Sequence, residues 1–318
     1  MKNVNERPIS TNEKESLERG LRILTLTTLI ATYLLIVLGS TVRVTESGMG
    51  CNGWPLCSGQ IGPIDHLHPL LEQSHRYLAT VVTILICAVA IVVWRAGQKA
   101  HFLKRLALAG VGVIVIQIVL GAITVFTNNA PVTVALHLIV GLLFLGIVTI
   151  TTVRAFAGSK GSWRPIKSID RMALWAVTGI FFVLISGSLV VDGGAEGACP
   201  SWPVCVGSHA QGGLIDLQLV HRAMVLLGTI VAVIFLVRVI RLKTVPNSQY
   251  RLAMTSLVLL AVQIAAGAVV AITKAPDALA DVHLALGAAL WSVIVATASL
   301  GAIKLKATQV DNVQGGHE

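Results

Sequence analysis

Four histidines lie inside stretches otherwise apolar enough to cross a bilayer: His75, His137, His221 and His283. They form two pairs with one repeat distance, 146 residues from 75 to 221 and again from 137 to 283. An ionisable side chain at membrane depth is costly and rare, so its presence points to function. Neutral imidazole is a common axial ligand of haem iron, and helix bundles hold cofactors on side chains from facing helices. Two imidazole pairs therefore predict two haem sites. Zinc or copper fits less well, because two histidines underfill a tetrahedral site and no carboxylate or thiolate recurs beside both pairs. The bland alternative is four buried histidines, each bonded to a helix carbonyl. Repetition counts against it, since the cost of a polar group in lipid applies each time.

The two pairs are not chemically equal. Glu72 stands three residues before His75, where the second half has Gln218 before His221. A spacing of three puts Glu72 on the face of His75. There a carboxylate can take a proton or stabilise a developing cation, which an amide cannot. The competing reading is an i, i+4 ion pair of Glu72 with Arg76. Arg76 and Arg222 directly follow their histidines, and either could meet haem propionates, since a planar guanidinium suits a carboxylate. The alternative for both is a side chain reaching toward lipid headgroups. His66 and His68 form a His-x-His of low specificity, for which a solvated loop is the simpler reading.

The elements that must carry these residues are membrane helices. The chain has 318 residues, 55% of them hydrophobic and 12% charged, against about 25% charged in soluble domains. Eight apolar runs approach the roughly 20 residues that span a bilayer, at 23–42, 77–94, 106–126, 132–153, 172–191, 219–237, 252–273 and 282–303. Of 24 Lys and Arg residues, all but Arg43, Arg76, Arg222 and Lys274 fall on one side of this layout. Positive charge accumulates on the cytoplasmic side, so both termini are expected there. The same asymmetry accounts for the net charge of +9 without nucleic acid.

The first outer loop reads Cys51-Asn-Gly-Trp54-Pro55-Leu-Cys57 and the third reads Cys199-Pro-Ser-Trp202-Pro203-Val-Cys205. Gln117 and Gly121 match Gln263 and Gly267 in the same order. With four spans per half, both halves enter from the same side and the repeat is parallel rather than inverted. The expected architecture is an all-α integral membrane protein with eight transmembrane helices arranged as two parallel-repeat four-helix bundles. Its parts are a cytoplasmic N-terminal segment at 1–22, a first bundle at 23–155, a cytoplasmic linker at 156–171, a second bundle at 172–306 and a disordered tail at 307–318. Four loop cysteines allow three pairings. The within-loop pairs, Cys51 with Cys57 and Cys199 with Cys205, join residues already close in sequence. They face the side where disulfides persist, and structural staples are the simpler reading over redox function. Cys87 reads as a small buried apolar residue.

Over about residues 20–305 the chain resembles the haem A synthase family, in its bacterial form with paired loop cysteines. The resemblance rests on Gly39-Ser-Thr-Val-Arg43, on Ser47-Gly48 leading into Cys51-Asn-Gly-Trp54-Pro-Leu-Cys57, and on Glu72-x2-His75-Arg76, His137, His221-Arg222 and His283. It implies oxidation of the C-8 methyl of haem O to a formyl group, giving haem A for terminal oxidases. It implies that His75 and His137 hold the substrate haem with Glu72 as the functional carboxylate, and that His221 and His283 hold a haem b cofactor. It also implies a plasma-membrane location and a partner that makes haem O, a protohaem farnesyltransferase. The rival function is a dihaem b-type cytochrome that passes electrons from quinol and leaves its haems unmodified. A haem carrier is a third, and paired histidines are too strong a ligand set for it.

Overall fold

The computed structural model describes residues 11–59, 61, 65–95, 101–158, 161–163, 170–207, 212–242 and 245–305. The expected disordered tail at 307–318 lies outside them, as do the first ten residues. Eight long helices carry the chain: α1 (Thr11–Val44), α2 (Leu67–Arg95), α3 (His101–Phe126), α4 (Pro131–Ala157), α5 (Arg171–Asp192), α6 (Gly212–Arg241), α7 (Asn247–Ile272) and α8 (Asp277–Gly301). All eight are long and apolar enough to cross a membrane. The chain is an all-α, multi-pass integral membrane protein. Large apolar side chains such as Ile84, Leu226 and Val258 are more than half exposed on the helix exteriors, a surface suited to lipid and not to water.

Helix ends follow local chemistry. Asp170 caps α5 by accepting from the Met172 N–H at 2.9 Å, satisfying one of the donors a helix start leaves free. Pro131 opens α4, and Pro246 and Pro276 stand just before α7 and α8, where a missing N–H costs no hydrogen bond. The turns α3–α4 and α7–α8 are copies of each other. Asn128 and Asn129 adopt φ of 52° and 54°, and Lys274 and Ala275 adopt 60° and 54°. The Asn129 and Ala275 N–H groups close them on Thr124 and Val270 carbonyls at 2.8 Å each. Asn tolerates this left-handed region, whereas Lys and Ala enter it at a cost. The repeat has kept the backbone while changing the residues.

Two features differ from expectation. The helix α1 begins at Thr11, well before the apolar run at 23. Its early turns contain Glu13, Glu15, Leu17 and Glu18, good helix formers, and Glu18 meets Arg22 one turn later at 3.4 Å. The N-terminal segment is therefore helical from residue 11. In addition, Gly161–Trp163 (β1) pairs antiparallel with Ile303–Leu305 (β2), joining the linker to the chain that leaves α8. Three-residue strands carry too little pattern to be foreseen.

The helices α1–α4 pack around one core that includes Val82, Ile86, Ile114, Phe144 and Val148. The helices α5–α8 pack around another that includes Ile180, Phe235, Leu260 and Ile294. This second core also takes Leu142 and Leu145 from α4, so α4 faces both. At the seam the Trp291 indole of α8 donates to the Val177 carbonyl of α5 at 3.1 Å. A Cβ at Gly146 of α4 would lie 2.7 Å from the same ring, so glycine there permits the close approach. Tyr33 of α1 donates to the Ala285 carbonyl at 3.2 Å, and Thr149 bonds Ser292 at 2.9 Å.

Candidate functional site

Each histidine sits six to nine residues inside its helix from the end bearing the disulfide loops, about 9–14 Å at 1.5 Å per residue. In the first half, His75 of α2 and His137 of α4 bring their ring centroids to 6.5 Å at an interplanar angle of 65°. In the second half, His221 of α6 and His283 of α8 occupy the matching positions. Every one of the four rings rests against a glycine of the preceding helix. A Cβ at Gly39 would lie 2.9 Å from His75, at Gly121 3.2 Å from His137, at Gly187 3.1 Å from His221, and at Gly267 2.8 Å from His283. Side chains at these positions would push the rings out of place. The Gln117 and Gln263 side chains fill equivalent gaps, against Gly141 and Gly287.

The rings differ in what holds them. Ser186 donates its hydroxyl to the Val183 carbonyl and lies 2.8 Å from His221 Nδ1. The hydroxyl therefore accepts from Nδ1–H, which leaves the Nε2 lone pair for a metal. Gln263 Nε2 lies 3.4 Å from His283 Nε2. In the first half the residue matching Ser186 is Leu38, which has no hydroxyl. His75 Nδ1 and His137 Nδ1 are buried without a hydrogen-bond partner of normal geometry, and so is His283 Nδ1 in the second half, although the Leu35 carbonyl approaches His75. Gln117 turns away to donate to the His137 carbonyl at 2.9 Å. Buried imidazoles with unpartnered nitrogens, seated on glycine and opposed in pairs, fit axial ligation of haem iron.

A cavity of about 750 Å³ opens in the first half, lined by both His75 and His137 and by Glu72. Its volume falls within the range of small-molecule and cofactor sites. One end of the lining is polar, with Arg43, Arg76, Asn129 and Asp192. Deeper in the bundle it is apolar, with Ile84, Ile114, Ile118 and Phe144. Such a site suits a large amphiphile with charged groups at one end.

The loops above the two sites are tied down by matching contacts. Both cysteine pairs form disulfides, Cys51–Cys57 and Cys199–Cys205, and both Trp-Pro peptides are cis. Arg76 Nη1 donates to the Gly53 and Pro55 carbonyls at 2.9 and 3.1 Å. Arg222 Nη1 makes the same contacts with Ser201 and Pro203 at 2.8 and 3.0 Å. Both guanidinia hold their loops, and Arg76 also lines the cavity.

Residue 72 and its counterpart break the match. Glu72 is buried, 4% exposed. Its Oε2 accepts from the Cys51 N–H at 2.8 Å and its Oε1 from Arg76 Nη2 at 2.5 Å. The i, i+4 ion pair is thus present, and the carboxylate lines the histidine cavity as well. Gln218 donates instead, to the Ala195 and Glu196 carbonyls at 2.8 and 3.1 Å. His68, of the His-x-His, bonds Ser47 at 2.8 Å. No cluster of three or more His, Cys, Asp or Glu suited to a metal ion occurs among the described residues. The four histidines and Glu72 expected from sequence lie at these positions. Sequence reasoning missed Ser186 and the four supporting glycines, of which Gly121 and Gly267 stood in its repeated motif, and Gly39 in the family motif, without a role.

The family model described as COX15-CtaA, cytochrome oxidase assembly protein, matches residues 22–69 and 66–295. The chain is similar to a protein named Heme A synthase from Geobacillus kaustophilus, 32% identical over 196 residues, which is 59% of this chain and 62% of that one. A protein of the same name from Shouchella clausii is 31% identical over 269 residues, 81% of this chain and 88% of the relative. One from Bacillus cereus is 28% identical over 290 residues, 87% and 92% of the two chains. The matches to two Geobacillus relatives span 62% and 63% of their lengths.

Proposed function

The chain belongs to the COX15-CtaA family of cytochrome oxidase assembly proteins, and from that premise we propose that it is a haem A synthase. It oxidises the C-8 methyl of haem O to a formyl group, and the haem A formed serves terminal oxidases. The first bundle, 23–155, holds the substrate haem between His75 and His137. The second, 172–306, holds haem b between His221 and His283, and bound there that haem supplies a store of electrons.

The observation that carries this reading is the chemical inequality of two sites built to one plan. Glu72 places a buried carboxylate on the cavity beside His75 and His137, where Gln218 has only an amide. A carboxylate in a low-dielectric site can accept the proton released as a carbon centre is oxidised. The Cys51 N–H and Arg76 fix its orientation. Ligand support points the same way. Ser186 bonds His221 Nδ1, an outer contact that suits a resident cofactor and has no hydroxyl counterpart at Leu38 in the first site. Arg76 and Arg222 serve the sites through the loops above them, and any contact with propionates is made from that position. The disulfides are staples of the same loops. The excess of basic residues on the opposite face supports an extracytoplasmic position for these loops, with both termini in the cytoplasm. A protohaem farnesyltransferase is the partner that this chemistry requires for supply of haem O.

The test is extraction of haem from membranes that also make haem O, with chromatography and mass spectrometry, for the wild type and for Glu72→Gln. Haem A in the wild type, with haem O or a hydroxylated product accumulating in the variant, is expected. Haem b alone in both would overturn the synthase reading and leave an electron-transfer cytochrome. Haem A in both would remove Glu72 from the chemistry.

A further inference from the structure

Among the polar contacts that join the two bundles near the histidine sites, one is an ion pair, and neither the repeat nor the reaction explains it. Arg43 of α1 pairs through Nη2 with Asp192 of α5 and donates from the same nitrogen to the Ser188 carbonyl at 2.9 Å. Asp192 is held in turn by the Ser188 hydroxyl at 2.9 Å. The aspartate side chain is 6% exposed and the arginine 18%, so the pair is largely shielded. Removing one partner of such a pair strands a charge, whereas replacing both with apolar residues is commonly tolerated.

The pair occurs once. The residue of α5 that matches Arg43 is Val191, and the residue of α1 that matches Asp192 is Val44. The fold of one bundle therefore accepts valine at either position. A feature that the repeat does not require, and that costs desolvation of two charges, calls for a role in the relation between the halves.

The neighbours of the pair show what it connects. Gly39, one turn before Arg43 on α1, seats the His75 ring. Gly187, adjacent to Ser188 on α5, seats the His221 ring, and Ser186 beside it bonds His221 Nδ1. The helix that backs one ligand is thus fastened to the helix that backs a ligand of the other site, within one turn of both. Arg43 and Asp192 also lie on the wall of the first cavity.

We propose that Arg43 and Asp192 are a positioning pair that registers the His221/His283 site against the His75/His137 site, and whose opposed charges set the field that both haems feel. The inference rests on the two-haem reading above. The pair touches no reacting atom. It holds the bundles in the relative position that electron exchange between the sites requires, and it does so at a place where a ligand bound in the first cavity can sense it.

The field gives a readout that a merely structural role would not move. Loss of the cation at Arg43→Gln leaves Asp192 unopposed, stabilises the ferric state and lowers the midpoint potential of the bound haems. Loss of the anion at Asp192→Asn raises it. The measurement is a spectroscopic redox titration of the purified, haem-loaded full chain, with electron paramagnetic resonance of the ferric haems. The expected result is opposite shifts in the two single variants, with bis-histidine signals retained. The double variant Arg43→Val with Asp192→Val carries the residues of the matching positions. It is expected to stay folded with near-normal potentials but to show slower electron exchange between the haems. If a single variant does not fold, the double variant decides. Haems bound in both sites, with potentials and exchange rate as in the wild type, would overturn the link while leaving the synthase reading intact. A wild-type protein with no haem in the second half would overturn the two-haem reading, and the link with it.

Discussion

The two bundles repeat the glycine seats, the glutamines and the loop anchors around their histidines, and differ in a few polar side chains beside them. Both have glycine behind each imidazole, glutamine over a glycine one helix away, an arginine gripping two loop carbonyls, and a disulfide within that loop. The differences fall on a few residues. Position 72 is a carboxylate that accepts from its loop, and position 218 is an amide that donates to its own. Position 38 is leucine, and position 186 is a serine bonded to a ligand. On the proposed function, the shared scaffold serves two haem sites, and the exceptions separate a site where chemistry occurs from a site that keeps its cofactor.

The comparison breaks most sharply at residue 72. Glu72→Gln is expected to reduce haem A formation by about 10²–10⁴-fold, the usual contribution of a positioned acid or base, with haem b retained. The reciprocal change, Gln218→Glu, should not create a second reactive site. It turns a carboxylate toward the Ala195 and Glu196 carbonyls and should weaken the second bundle instead, read as a lower thermal midpoint with haem A still made. Haem A loss of equal size in both variants would mean that residues 72 and 218 share a structural role.

The glycines give the next largest effect. Gly39→Val and Gly187→Val each place atoms against an imidazole that a Cβ alone would approach to 2.9 or 3.1 Å. Overpacking of this kind costs about 1–3 kcal/mol, and here the strain falls on a ligand. Gly187→Val should yield purified protein depleted of haem b, and Gly39→Val should keep haem b and lose haem A. Equal loss of haem b in both would remove the assignment of separate haems to separate halves.

How far these residues could be read from sequence depended on how rare each signal is. A histidine at membrane depth is conspicuous, and four at one interval are hard to mistake; the loop cysteines around Trp-Pro are equally distinct. Ser186 was invisible because serine in a membrane helix ordinarily bonds a carbonyl one turn back, as Ser186 also does to Val183. Nothing in the pattern reveals that its other contact is an imidazole 35 positions later. Gly39 and Gly187 were hidden for a similar reason, since glycine is frequent in membrane helices. The loop carbonyls that Arg76 and Arg222 hold were not legible, because spacing gives the direction of a side chain but not the loop that folds back onto it. The early start of α1 was missed because apolar runs mark the bilayer and not the helix.

Smaller changes sharpen the contrast between exchangeable and resident haem. Ser186→Ala removes the hydroxyl that fixes His221, and loss of such outer contacts typically weakens metal binding about 10–100-fold. Faster loss of haem b to an apo-globin acceptor, with the His221 ligand still present in the spectrum, is expected. Leu38→Ser should do the reverse in the first site by offering His75 Nδ1 a partner, so that product haem is released more slowly and accumulates on the protein. Unchanged retention in both variants would sever ligand support from the division of labour.

The weakest perturbation is of the disulfides, and it still separates the halves. Closing a short loop commonly contributes about 2–4 kcal/mol, with wide scatter. Replacing Cys199 and Cys205 by serine should lower the thermal midpoint and leave most haem A formation, because Arg222 continues to hold its loop through Cys199, Ser201 and Pro203 carbonyls. Replacing Cys51 and Cys57 should produce a comparable fall in stability and a larger fall in haem A. The difference arises because the Cys51 N–H is one of the donors that orient Glu72, so slack in that loop reaches the carboxylate directly. Thermal midpoints and haem A yields measured on the two double variants side by side decide it. Equal losses of haem A would mean that Arg76 alone suffices to hold Glu72, and that the first loop staple acts on stability and not on the site.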